Sequence, residues 1–141
     1  CVAWMRTGRK PWPLMVKEVD KRMKYYPGLL IHDATGIGNV VADLIDYNSR
    51  KIVHQTLNGA KRATIFNDYV SAIEQGVIKY PVIQFAYDEH KYATNDDLFG
   101  RGHAPDSFVA GALAYSLRKR ELNVAAPVYT DWERESPWNI A

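Results

Sequence analysis

At 141 residues, the chain suits one domain with one core, and its 47% hydrophobic and 24% charged content is ordinary for a globular protein. The net charge of +2 is too small to argue for nucleic acid alone, although a local basic face can hide in a neutral total. The single cysteine, Cys1, excludes an internal disulfide, argues against a cysteine-based zinc site and fits a reducing, intracellular setting. No apolar run approaches the roughly 18 residues that a membrane span needs, and no signal peptide is evident.

In chain order, Cys1 to Arg6 reads as a short strand. It opens the chain without an initiator methionine, which reads as a segment of a longer protein whose upstream part is missing. Pro11 and Pro13 fit a helix start. That helix should run to about Tyr25, with Met15, Val16, Val19 and Met23 as its apolar stripe. Pro27-Gly28 ends it. Leu29 to Ile31 is a continuous apolar run, as in a strand buried on both faces. Asp33 follows at the carboxyl end of that strand. Gly36 and Gly38 form a turn into a helix over about Ile37 to Ile45.

Lys51 to Leu57 predicts another strand and Asn58-Gly59 a turn. A helix is expected over about Ala60 to Gln75, with Ile65, Tyr69, Ala72 and Ile73 at helical spacing and Gly76 as its stop. A further helix is expected over about Val82 to Tyr92. Lys91 to Gly102 is polar and predicts a short strand or hairpin edge. Pro105 then opens a helix reaching about Lys119. Residues 120–141 lose periodicity and read as a tail with Trp132 and Trp138, leaving 1–119 as the folded domain. Strands alternating with helices predict an α/β domain with a largely parallel sheet. Ligands of such sheets bind beyond the carboxyl ends of the strands, where Asp33 lies.

Two segments carry the chemistry. One runs from Ile31 through Asp33-Ala34-Thr35-Gly36-Ile37-Gly38, the other from His103-Ala104-Pro105-Asp106-Ser107 into Phe108 and Val109. Each sets a carboxylate at a structural boundary. Asp33 suits a metal ligand, although position alone favours a helix cap. Asp106 suits a ligand or a first-turn acid favoured by the macrodipole. His103, three residues before it, could reach the same site, and two acids with a histidine suit Mg²⁺ or Mn²⁺. The glycine turn lacks the Lys-Ser/Thr of a P-loop. Asp43, Asp96 and Asp97 read as solvated. Glu89 either joins the acidic cluster or pairs with Lys91. Lys61 and Arg62, near a helix start, suit an anion or a solvated face. Arg9 and Lys10, with Arg6, Trp4 and Trp12 nearby, form the densest basic and aromatic stretch, suited to DNA backbone or to surface packing.

At these two motifs the chain resembles the nuclease domain of phage terminase large subunits. The Asp33-Ala34-Thr35-Gly36-Ile37-Gly38 turn resembles the strand carrying that family's second acid, and His103 to Ala114 resembles its last acid-bearing helix. Gly59-Ala60-Lys61-Arg62 and Gly76 to Pro81 resemble family spacers. The resemblance implies an RNase H-like mixed sheet flanked by helices. It implies two-metal hydrolysis of concatemeric double-stranded DNA with Mg²⁺ or Mn²⁺, Asp33 and Asp106 as catalytic ligands and His103 as a possible third. It implies partners in the portal, the small terminase subunit and other large-subunit copies, acting in the host cytoplasm during phage assembly and at no membrane. The family's first acid lies on a strand upstream of one resembling Cys1 to Arg6, so this segment alone should cut DNA weakly or not at all. A junction resolvase and a non-catalytic DNA-binding or motor-docking module are the competing expectations.

Overall fold

The computed structural model describes residues 4–26, 28–35 and 52–121, with 119–121 described by backbone alone. Its first element is helix α1 (Trp12–Tyr25), with Pro11 before it and Pro13 in its first turn, where no intrahelical N–H is lost. Val16 is buried, while Met15, Val19 and Met23 are half-buried, so one stripe faces inward. Arg22 and Lys24 complement the negative end of the helix.

Strands β1 (Leu30–Asp33) and β2 (Ile52–Gln55) pair in parallel, with Leu30 opposite Ile52 and Asp33 opposite Gln55. The ladder extends one step further through Ala34 N–H to the Gln55 carbonyl at 2.9 Å. Helix α2 (Gly59–Glu74) follows. It closes with Gly76 at φ +66°. The Gly76 and Val77 N–H groups return to the Ile73 and Ala72 carbonyls, a Schellman closure that favours glycine at that left-handed position.

Helix α3 (Gln84–Lys91), the short α4 (Asn95–Phe99) and α5 (Asp106–Glu121) complete the described chain. The core lies where α2, α4 and α5 meet. Phe66, Tyr69, Leu98, Phe108 and Ala112 are buried there. Phe108 meets both Phe66 and Tyr69 edge-on at 5.2 Å between ring centroids, a favoured aromatic arrangement. Gly111 lets α5 approach α2, because a Cβ there would stand 2.1 Å from the Tyr69 hydroxyl.

The helix-and-strand class and the two parallel strands agree with expectation, and four helices fall within two residues of their expected limits. Two expectations are corrected. Trp4 to Arg6 form no strand. Side chains pin this segment instead: Trp4 packs edge-on against Tyr80 and His90, and Arg6 pairs with Glu89. The segment from Lys91 to Gly102 carries the short helix α4 (Asn95–Phe99), not a hairpin edge. Thr94 and Asp97 build a capping box, each side chain bonding the other's backbone N–H, and this nucleates α4. The helix expected over Ile37 to Ile45, with Asp43, and the tail beyond Glu121 lie outside the described residues. Among the described residues, no helix is long and apolar enough to cross a membrane.

Candidate functional site

The end of β1 presents Asp33. Leu30, Ile31 and His32 are half-buried, and Asp33, the last residue of the strand, is exposed. Its Oδ1 accepts from the Thr35 backbone N–H at 2.8 Å and from the Thr35 hydroxyl at 2.5 Å. Thr35 Oγ1 in turn accepts from the Leu57 N–H at 2.9 Å. One hydroxyl therefore ties the turn after β1 to the segment after β2, and it fixes the carboxylate between them. Asp33 thus closes a local turn, and the helix it was expected to cap lies outside the described residues. Thr35 was not singled out from the sequence. Its signal was the Asp-X-Thr spacing, which turn chemistry makes legible.

Beside Asp33, His32 and His54 face each other across the ladder, Nε2 to Nδ1 at 2.6 Å. His32 Nδ1 lies 3.1 Å from the Asp33 carbonyl, which can only accept. His32 therefore donates from Nδ1, and a single proton is shared between its Nε2 and His54 Nδ1.

Asp106 is the first residue of α5 and is exposed, as is His103. Helix α5 packs against β1. Asp33, His103 and Asp106 consequently line one cavity of about 1090 Å³, walled by α1, β1, α2 and α5. Its apolar wall includes Leu30, Phe66, Val109 and Leu113. Three arginines also line it: Arg22, Arg62 and Arg118. Sequence reasoning singled out only Arg62. Arg22 and Arg118 sit on helices far apart in sequence, and only packing brings them together.

Arg62 is firmly held. Its Nη2 donates to the Asp97 carbonyl at 3.0 Å, and its guanidinium lies 5.1 Å over the Phe66 ring. Lys61, Arg9 and Lys10 are exposed and do not line the cavity. Glu89 joins neither the acidic pair nor Lys91. Its Oε1 meets Arg6 Nη1 at 2.8 Å, and its Oε2 accepts from the Ser107 N–H at 3.0 Å. Lys91 lies instead over the Tyr87 and Tyr92 rings. Asp97 is engaged in its capping box, and Asp96 Oδ1 accepts from the Arg101 N–H at 3.3 Å.

Burial pushes the Glu89 carboxyl up, but Ser107 and Arg6 outweigh it and hold the group below the ordinary carboxylate range. Burial lowers His90, which donates from Nδ1 to the Ala86 carbonyl and lies 3.0 Å from the Tyr69 hydroxyl at Nε2. Burial pushes Tyr69 up.

Among the described residues, no three His, Cys, Asp or Glu side chains stand close enough to hold a metal ion. His103 thus shares the cavity with both acids without closing a three-ligand shell. The donor types still fit a hard divalent ion: two exposed carboxylates on one cavity, neither in an ion pair among the described residues. Comparison with protein-family models, with curated proteins and with solved structures found no match for the chain.

Proposed function

We propose that this chain is part of the nuclease domain of a terminase-type DNA-packaging motor, a metal-dependent endonuclease of RNase H-like fold acting on double-stranded DNA. One observation carries the reading: Asp33 and Asp106, from two motifs remote in sequence, line the same cavity. Asp33 also lies at the carboxyl end of a parallel strand, where α/β sheets place their ligands.

In this reading Asp33 and Asp106 hold Mg²⁺ or Mn²⁺, with His103 as the candidate third donor. A pair of such ions, when bound, supplies Lewis acidity towards the phosphodiester and its attacking water. The rest is the work of the chain. Thr35 fixes the Asp33 carboxylate, leaving Oδ2 for a ligand. Arg118 and Arg22 bring positive charge to the same cavity, where a phosphodiester backbone would be attracted. Lys61, Arg9 and Lys10 extend that attraction to flanking DNA. The portal, the small terminase subunit and further copies of the large subunit are the partners of this reading, and the host cytoplasm is its place.

One observation favours a second reading, a non-catalytic DNA-binding or motor-docking module: the described residues close no three-ligand cluster. Plasmid cleavage by the full-length protein in Mg²⁺ or Mn²⁺ separates the two. Outer-shell partners of metal ligands cost about 10–100-fold when removed, so Asp33→Ala and Asp106→Ala should each lower the rate at least about 100-fold. Equal cutting by wild type and both variants would sink the nuclease reading.

A further inference from the structure

Helix α5 begins without a cap of its own. The two residues before Asp106 are Ala104 and Pro105, and neither carries a side-chain acceptor. The first N–H groups of any helix lack intrahelical partners. The Ser107 N–H, second in α5, is satisfied from elsewhere: Glu89 Oε2 on α3 accepts it at 3.0 Å. A carboxylate also suits the positive end of the helix. The other oxygen, Oε1, is held by Arg6 Nη1 at 2.8 Å, and Arg6 lies 5.8 Å over the Phe85 ring, one turn before Glu89 on α3. The Glu89 side chain is half-buried, with a relative exposure of 20%.

The anchored amide is that of the residue after Asp106. By contrast, the Asp106 side chain makes no hydrogen bond or ion pair among the described residues. Its carboxylate is therefore aimed by the backbone at the start of α5, and that start is clamped by Glu89. We infer that Glu89 is a positioning residue for Asp106, holding the amino end of α5 so that the Asp106 carboxylate faces the cavity shared with Asp33. The inference rests on the reading of Asp106 as a metal ligand. Glu89 itself touches neither the metal nor the DNA in this role.

Two conservative variants separate position from charge. Glu89→Gln keeps one acceptor of the same reach for the Ser107 N–H and gives up the charge and the pairing with Arg6. Glu89→Asp keeps the charge and withdraws the acceptor by one methylene. Mn²⁺ binding is measured by calorimetry on the full-length protein, with thermal melts alongside. Glu89→Asp should weaken Mn²⁺ binding about 10-fold or more, as loss of an outer-shell partner does. Glu89→Gln should bind nearly as wild type. A general structural role predicts something else: lowered melting temperatures with Mn²⁺ affinity unchanged. That result, or a Gln variant as weak as the Asp variant, overturns the inference. Asp106→Ala is the control. If it loses Mn²⁺ binding while Glu89→Asp does not, only the positioning role fails. If wild type and Asp106→Ala bind Mn²⁺ alike, the metal-site reading fails and the positioning role falls with it.

Discussion

Thr35 does more for the candidate site than its small size suggests. Its hydroxyl donates to Asp33 Oδ1 and accepts from the Leu57 N–H, so it bridges a carboxylate and a backbone amide from a segment 22 residues away. Thr35→Val keeps the shape and removes both bonds. A net hydrogen bond is worth about 0.5–1.5 kcal/mol. The variant should therefore lose roughly 1–2 kcal/mol in urea denaturation, allowing for the partial exposure of the turn. A loss below about 0.5 kcal/mol would place Thr35→Val among ordinary surface changes and show that water replaces the bridge. Asp33 was legible as a turn or cap acceptor because that chemistry is local. The bond from Leu57 was not, since it depends on how two strands align. Glu89 illustrates the same limit. Sequence offered it Lys91 at close range, and packing gave it Arg6 and Ser107 instead.

Elements were legible where their signals are local and failed where a competing local signal or a tertiary contact won. The helices over Trp12–Tyr25 and Gly59–Glu74 follow from proline placement, apolar spacing and the Gly76 stop. The polar run before Gly102 suggested a hairpin edge, but the Thr94-to-Asp97 spacing is itself a helix-start signature. Trp4 to Arg6 carry a strand-like composition, and their aromatic and charged side chains found partners on and beside α3 without any ladder. Helix proximity was not legible at all. Gly111 sits mid-helix in α5, where glycine weakens a helix relative to alanine, so its benefit must lie outside the helix. A Cβ would stand 2.1 Å from the Tyr69 hydroxyl, 2.6 Å from its ring carbon and 3.1 Å from the Trp4 ring. Tyr69 is buried and cannot swing away freely. Gly111→Ala should thus destabilise by about 1–3 kcal/mol despite the gain in helix propensity. Calorimetric or denaturant unfolding checks the sign, and a stabilised variant would show that α2 and α5 are not held at this spacing.

For the whole molecule, the buried titratable groups set a stability profile with a slope on either side of neutrality. Burial lowers His90, so the folded state resists the proton that the unfolded chain accepts. Its contribution is complete above the ordinary histidine value of about 6.5 and is lost as pH falls towards the depressed folded value. Glu89 and Asp97 are also held low. Burial raises Glu89, but Ser107 and Arg6 outweigh it; the Thr94 side chain and backbone N–H lower Asp97. Their contributions are complete above about 4.5 and are lost at more acid pH. Tyr69 and Tyr80 are raised by burial, so their contributions hold below about 10 and fade as pH rises further. The melting temperature should accordingly be level near pH 7 to 8. It should fall in one phase from about pH 6.5, fall again below about 4.5, and decline above about 10. His90→Gln isolates the upper acid phase. The variant removes the ring packed against Phe108 and the ring nitrogen beside the Tyr69 hydroxyl, so its melting temperature at pH 7.5 should drop. Its slope between about pH 7 and 5.5 should flatten, because the imidazole at position 90 is gone. A variant that keeps the wild-type slope there would mean that the Tyr69–His90 contact does not govern the acid response. The phase below about pH 4.5 should survive in His90→Gln, since it belongs to the carboxylates.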